Sequence, residues 1–167
     1  DDVFMPAELL LGSEGAGYRI ALANLEAGRI GIAAQCVGMA RAALHCAVAY
    51  ARERQAFGKT LGQHEGVGFM LADNEMDLHV TRLAILHCAW VLDQGHLGTR
   101  ESSAAKVISS EAIWRVIDRS VQVLGGRGVT SESIVERIFR DARAFRIYDG
   151  PNEVHRMSLA RKILKRH

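Results

Sequence analysis

Proline is almost missing from this chain. Of 167 residues only Pro6 and Pro151 are proline, both near expected element boundaries, so little interrupts a helix between them. Aromatic residues are scarce at 6%, and β-branched residues are sparse beside Ala and Leu, which argues against a sheet protein. Strong charge of either sign is lacking too. A net charge of +2 is too small to imply nucleic acid or an anionic membrane as partner. No apolar run reads as long enough for a membrane span, and no signal peptide opens the chain. Cys36, Cys46 and Cys88 are an odd count without CxxC spacing, and the seven histidines contain no HxxxH or HExxH pair. That argues against a disulfide framework and against any metal. The cysteines read as buried free thiols of a reducing compartment, bacterial cytoplasm or mitochondrial matrix.

What is present is helix-forming and patterned. With 49% apolar residues the chain can bury one real core. Residues 1–14 read as a connector. Leu25, Ile32, Cys36, Met39, Ala43, Cys46 and Tyr50 recur at steps of three, four and seven, which predicts a helix from about 17 to 54, roughly 55 Å at 1.5 Å per residue. F-G-K-T-L-G, with Gly58 and Gly62, should stop it. A second helix is expected near 64–94, with Leu71, Leu78, Ile85 and Leu92 seven apart and Asn74, Thr81 and Cys88 between them. A third, near 100–125, carries Val107, Ser110, Trp114, Ile117, Val121 and Leu124. After G-G-R-G come a short helix near 131–142 and a last one from Pro151 to the end. The expected fold is all-α, an up-and-down four-helix bundle with an additional short helix over residues 15–167. The first helix outruns what a small bundle covers, so part of it should meet another chain or domain.

Few motifs carry chemistry. G-S-E-G-A-G at 12–17 lacks the GxGxxG spacing, a preceding strand and a Walker lysine, and reads as a helix entrance. G-G-R-G at 125–128 could let backbone amides approach a phosphate, although a helix C-cap followed by a turn is the stronger reading. Arg137, Arg140, Arg143 and Arg146, interleaved with Glu136 and Asp141, favour an ion-paired face over an anion site. The sharpest stretch is I-Y-D-G-P-N-E-V-H-R at 147–156. Gly150 as N-cap, Pro151 as first helical residue and Glu153 three beyond the cap would make it a helix entrance, where the dipole favours an acid. Yet Asp149 follows Ile147 and Tyr148, and a carboxylate poorly solvated among such neighbours is a stronger base, as removal of a carbon-bound proton requires. Residue chemistry alone leaves both readings open.

Five segments in order, P-A-E-L-L-L-G-S-E-G-A-G-Y at 6–18, L-E-A-G-R-I-G-I-A-A-Q at 25–35, Y-A-R-E-R-Q-A-F-G-K at 50–59, Q-V-L-G-G-R-G-V at 122–129 and R-D-A-R-A-F-R-I-Y-D-G-P-N-E-V-H-R at 140–156, resemble the C-terminal portion of the acyl-CoA dehydrogenase family. The resemblance implies a helical domain that follows a middle β-domain, with FAD between the two. It places Asp149 where the family usually has the glutamate that takes the α-proton of an acyl-CoA while the β-hydrogen leaves as hydride to the flavin. It implies FAD contacts from Arg54, Gln55, Ala56, Phe57, His64, Gln122, Gly125 and Gly126, partly on a neighbouring subunit, and from Pro151, Asn152 and Glu153 at a helix start. Glu26, Arg29 and Gly150 fall near the acyl-CoA. Some branches carry the base on the first helix, where this chain has Gly28.

The departures are Asp149 for glutamate, Pro151 for threonine and Glu65 for glutamine. The D-G-P-x-E-V-H form resembles a sub-branch, acyl-CoA dehydrogenase family members ten and eleven, that suggests longer, branched or hydroxylated acyl chains. Electron-transfer flavoprotein is the implied electron acceptor, and a homodimer or homotetramer the implied assembly. Two alternatives stand beside this one. The first is a flavin oxidase of the nitroalkane type, and the second an assembly module without catalysis. The 167 residues alone are expected to bind FAD weakly and to turn nothing over.

Overall fold

The computed structural model describes residues 2–165, the side chain of Ala27 excepted. Five helices follow one another: α1 (Gly17–Glu53), α2 (Glu65–Asp93), α3 (Thr99–Leu124), α4 (Ile134–Ala142) and α5 (Asn152–Leu164). The expected all-α bundle is what forms. Between α1 and α2 lies a small hairpin, β1 (Gln55–Ala56) and β2 (Lys59–Thr60), antiparallel with Gln55 opposite Thr60 and Ala56 opposite Lys59. Its two loop residues, Phe57 and Gly58, both hold positive φ, 51° and 78°, as a tight type I′ turn requires. F-G-K-T-L-G is therefore a hairpin as well as a helix stop. Helix α4 opens on Ser133, whose Oγ accepts from the Val135 amide at 3.1 Å. Helix α3 ends where Gly125 turns to φ 58°, the C-cap reading of G-G-R-G.

Helix α3 is the hub, packed against α1, α2, α4 and α5. The face of α1 that meets it is built from small residues, Ala33, Cys36, Ala40, Ala43, Ala47 and Ala51, all buried. Small side chains let the backbones approach closely, and Ile113, Val116 and Ile117 of α3 fill the space between. Each contributes about 1.5–3 kcal/mol by burial. Three sequence stripes need correction. On α1, Leu25 is exposed and the buried seam runs through the alanines. On α2, Asn74, Leu78, Thr81 and Cys88 are buried, while Leu71, Ile85 and Leu92 are only partly covered. On α3 no single stripe exists, because neighbours on several sides also bury Ser102, Ser103, Lys106, Ser109 and Ser120. Three of these serines are tolerable inside because their hydroxyls donate to carbonyls a turn back, Ser120 to Val116 at 2.7 Å, Ser109 to Lys106 at 3.1 Å and Ser102 to Thr99 at 3.3 Å.

Helix α1 is, against expectation, long and apolar enough to cross a membrane by length and composition alone. Its small apolar residues recur on one side and pack on α3, the role of a core helix. Its first two turns are largely exposed, while Arg29 and Ile30 are already partly covered by the rest of the bundle. Of the cysteines, Cys36 and Cys88 are buried and Cys46 only half-buried. Burial pushes the Cys36 thiol up to about 12. Among the described residues no group of three or more His, Cys, Asp or Glu could hold a metal ion.

Candidate functional site

The segment between α4 and α5 has to reverse direction in a few residues. After a tight helical turn over Arg143–Arg146, the backbone enters the left-handed region at Asp149 (φ 54°) and Gly150 (φ 89°). Pro151, at φ −54° and ψ 144°, is then the N-cap of α5. The expected cap at Gly150 is thus shifted by one, and Glu153 becomes the second helical residue. Gly150 is obligatory twice over: a Cβ there would lie 2.7 Å from His155 Nε2.

Three buried side chains, with the half-buried Glu111 beneath them, brace this turn. Lys106 of α3 is 0% exposed; its Nζ donates to the Gly150 carbonyl at 2.7 Å and to Asn152 Oδ1 at 2.8 Å. His155, 3% exposed, donates from Nε2 to the Asp149 carbonyl at 3.1 Å. Asn152 is 1% exposed, and its Nδ2 donates to Ser110 Oγ at 2.9 Å and Glu111 Oε1 at 3.0 Å. Its orientation follows from chemistry, since the lysine can only donate and the carboxylate only accept. Glu111 also takes Arg156 at 2.9 Å and Arg146 at 3.1 Å. Burial pushes the Glu111 carboxyl up, but the hydrogen bonds from Arg156 and Asn152, with Arg146 beside them, hold it below the usual range. Burial likewise draws Lys106 and His155 below their ordinary values, partly offset in Lys106 by the charge of Asp149 and in His155 by the Asp149 carbonyl.

Two buried polar atoms are left over. Asp149 Oδ2 and Arg29 Nε have no hydrogen-bond partner among the described residues. Arg29, on α1, is close enough to Lys106 and His155 to lower both, so it belongs to the same end of the bundle. Its NH1 lies 3.7 Å from Glu26. An anionic oxygen and a guanidinium N–H, both buried and unsatisfied, suit a ligand that donates to one and accepts from the other. Asp149 and Gly150 thus lie at the same end of the bundle as Arg29 and, through it, Glu26. Asn152 is nearby, but its side chain is committed to the interior, which leaves only its backbone for a cofactor. Pro151 and Glu153 are exposed at the start of α5, which has no side-chain cap among the described residues. Lys106, Glu111 and His155 escaped the sequence reading. The available signal was a lysine set inside the apolar run A-A-K-V-I.

The remaining predicted residues lie at the other end. Arg54 is the exposed C-cap of α1 and its carbonyl takes the Leu61 amide at 2.8 Å. Gln55 is exposed and Ala56 half-buried, and Phe57 at the hairpin tip is 97% exposed. His64 is not presented outward: its Nε2 meets the Ala56 carbonyl at 3.1 Å and its ring sits edge-on to Phe57, so it braces the hairpin. Gln122, Gly125 and Gly126 are exposed, and a Cβ at either glycine would meet nothing within 4 Å. Arg127 over the Tyr50 ring, 5.8 Å from its centroid, ties this glycine turn to the end of α1. The glycine turn and the hairpin thus offer an open backbone cradle with a guanidinium beside it, which fits an extended phosphate-bearing cofactor. Lys106 and Gln122 are separated by sixteen residues of α3, about 24 Å. Arg29 and Arg54 are twenty-five residues apart on α1, about 37 Å. The two groups cannot enclose one ligand by themselves.

Known proteins match nearly the whole chain. The sequence profile of "Acyl-CoA dehydrogenase, C-terminal domain" matches residues 15–164. The chain is 41% identical over 165 residues to the short-chain specific acyl-CoA dehydrogenase of rat mitochondria, covering 99% of this chain and 40% of that one. It is 37% identical over 166 residues to the CarC subunit of the caffeyl-CoA reductase–Etf complex of Acetobacterium woodii, covering 99% of this chain and 44% of the relative. Among solved structures, butyryl-CoA dehydrogenase from Megasphaera elsdenii superposes with a TM-score of 0.92 at 40% identity, over 95% of this chain and 42% of that one. The chain thus spans about two fifths of the length of the curated relatives it matches.

Proposed function

This chain belongs to the acyl-CoA dehydrogenase family, and from that premise we propose that it forms the helical part of a flavoenzyme that introduces an α,β double bond into an acyl-CoA thioester. Asp149 is the base. It takes the α-proton onto its carboxylate as the α-carbon–hydrogen bond breaks, and the β-hydrogen leaves as hydride. FAD, when bound, supplies the hydride acceptor. The observation that carries this reading is the buried, unpartnered Oδ2 of Asp149, held in a left-handed turn of the kind that clusters at functional sites. Arg29, with an unsatisfied Nε, and Glu26 beside it orient the thioester end. Gly150 lets the substrate approach the turn without a side chain in its way.

Arg54, Gln55, Ala56, Phe57, Gln122, Gly125 and Gly126 hold the dinucleotide of a second subunit, because they lie too far from Asp149 to share its cofactor. His64 acts there indirectly, through the hairpin. The enzyme is accordingly a homodimer or homotetramer. The apolar face of α2 formed by Phe69, Met76, Val80, Leu83 and Trp90, all exposed, supports burial against further protein. Residues 2–14, with Phe4, Leu9, Leu10 and Leu11 uncovered, suit a connector leaving a preceding domain. Electron-transfer flavoprotein is the acceptor we assign, and a reducing compartment, bacterial cytoplasm or mitochondrial matrix, the setting. The D-G-P-N-E-V-H motif and the rat relative point to different acyl chain lengths, so the substrate is assigned as an acyl-CoA and no further.

The test is Asp149→Asn in the full-length flavoprotein, with butyryl-CoA in deuterated buffer. Exchange of the α-protons should fall by about 10²–10⁴-fold with flavin content unchanged. Exchange at the parent rate would remove Asp149 from the role. Peroxide released from a nitroalkane, without turnover of acyl-CoA, would move the enzyme to the oxidase class.

A further inference from the structure

A left-handed turn on its own is a poor support for a base. Asp149 and Gly150 hold φ of 54° and 89°, and a non-glycine residue in that region costs roughly 1–2 kcal/mol. Unless something restrains it, such a turn relaxes and the carboxylate swings away from its target. The restraint here comes from two elements outside the turn. Lys106 reaches in from α3 and donates to the Gly150 carbonyl at 2.7 Å. His155 reaches back from α5 and donates to the Asp149 carbonyl at 3.1 Å. Two consecutive carbonyls are thus pinned from two different helices by donors that are almost completely buried. Asn152 joins the clamp to the rest of α3, since its Oδ1 shares the Lys106 ammonium at 2.8 Å and its Nδ2 binds Ser110 and Glu111.

We propose that Lys106 and His155 are positioning residues for the reaction, a two-sided carbonyl clamp that fixes the Asp149–Gly150 turn and so aims the Asp149 carboxylate. The inference rests on the assignment of Asp149 as base. Neither residue hydrogen-bonds the carboxylate oxygens, and Oδ2 has no partner among the described residues. A buried lysine is an expensive way to hold one helix against another, since its ammonium loses its water. A methionine or leucine in that place would pack as well for a purely structural purpose. Two hydrogen bonds to this turn and its neighbouring asparagine account for the lysine. His155 is likewise the side chain that a Cβ on Gly150 would strike, so the glycine and the histidine form one fitted pair.

The test uses the full-length flavoprotein with butyryl-CoA as probe, following α-proton exchange, kcat and KM, with bound flavin measured throughout. Lys106→Met should lower kcat and exchange tenfold or more, leaving KM within about threefold and flavin content unchanged, because misplacement of a base by an ångström acts on the chemical step. His155→Leu should do the same. His155→Gln, whose amide N–H can still reach the Asp149 carbonyl, should keep kcat within about threefold of the parent. The rescue by glutamine is what a simple packing role would not produce. A kcat within twofold of the parent for Lys106→Met, or a loss confined to KM, would overturn the clamp. So would equal losses in His155→Leu and His155→Gln. Should Lys106→Met fail to fold, the two His155 variants still decide. Asp149→Asn, run alongside, separates the outcomes. If it abolishes exchange while the clamp variants do not, the base stands and the clamp fails. If it leaves exchange intact, the assignment of the base fails first.

Discussion

The two ends of the bundle solve different problems with opposite means. The Asp149 end is dense: Lys106, Asn152 and His155 are buried, their donors and acceptors are matched, and two polar atoms are left over for a ligand. The Arg54 end is bare: an exposed guanidinium, a hairpin tip standing in solvent and two glycines with nothing near them. A preorganised site draws its precision from side chains locked by their neighbours. A surface that serves another copy needs reach and open backbone instead, and gains its order on assembly. The contrast predicts that substitutions at the first end disturb the fold and the chemistry together, while those at the second leave the fold untouched.

The largest effect expected on this chain itself is from Gly150→Ala. A methyl there meets His155 Nε2 at 2.7 Å with the backbone at φ 89°, and urea denaturation should show a loss of about 2–4 kcal/mol. A loss under 1 kcal/mol would mean that the turn is not fixed and would weaken the contrast at its denser end. Arg54→Ala comes next. Denaturation should register less than about 0.5 kcal/mol, whereas the flavin retained by the full-length protein should drop with an affinity loss of about tenfold or more, as for a lost charge-assisted contact. Unchanged flavin content would remove Arg54 from the cofactor site.

The smallest effect belongs to Asp77, midway along α2, where Arg115 Nε at 3.1 Å and Arg119 NH1 at 2.7 Å donate to its carboxylate. Burial pushes this carboxyl up, but the two arginines outweigh it and hold it below the ordinary value. A depressed carboxylate stabilises the fold above its unfolded value and loses that contribution as pH falls through the folded one. Asp77→Asn should therefore cost about 1 kcal/mol at pH 7, and the difference should shrink in acid. A difference independent of pH would show that the arginines are not its source.

The helices were legible in the sequence because helical periodicity and glycine breaks are local signals: the bounds of α1, α2 and α3 fall within a residue or two of the expected ones. Which face of each helix is buried was less legible. On α1 the alanines carry the seam, and alanine is too weakly apolar to stand out in a pattern search. On α3, neighbours on several sides erase the periodicity altogether. The hairpin was hidden inside what looked like a helix terminator. At the candidate site Asp149 and Arg29 were readable from motifs. Lys106 and His155 were not, because their meaning lies in carbonyls 44 and 6 residues away, and a backbone acceptor leaves no mark on the residue that carries it.

The positive φ of Asp149 bears on the shorter acid. Aspartate enters the left-handed region more readily than most residues, through its short polar side chain. A longer acid would gain one methylene of reach and would lose conformational ease in the backbone that carries it. The identity of this residue is therefore a compromise between distance to a substrate and comfort in a turn. Any lineage that relaxed the turn would be free to lengthen the side chain, and a change of acid would be expected to travel with a change in the loop.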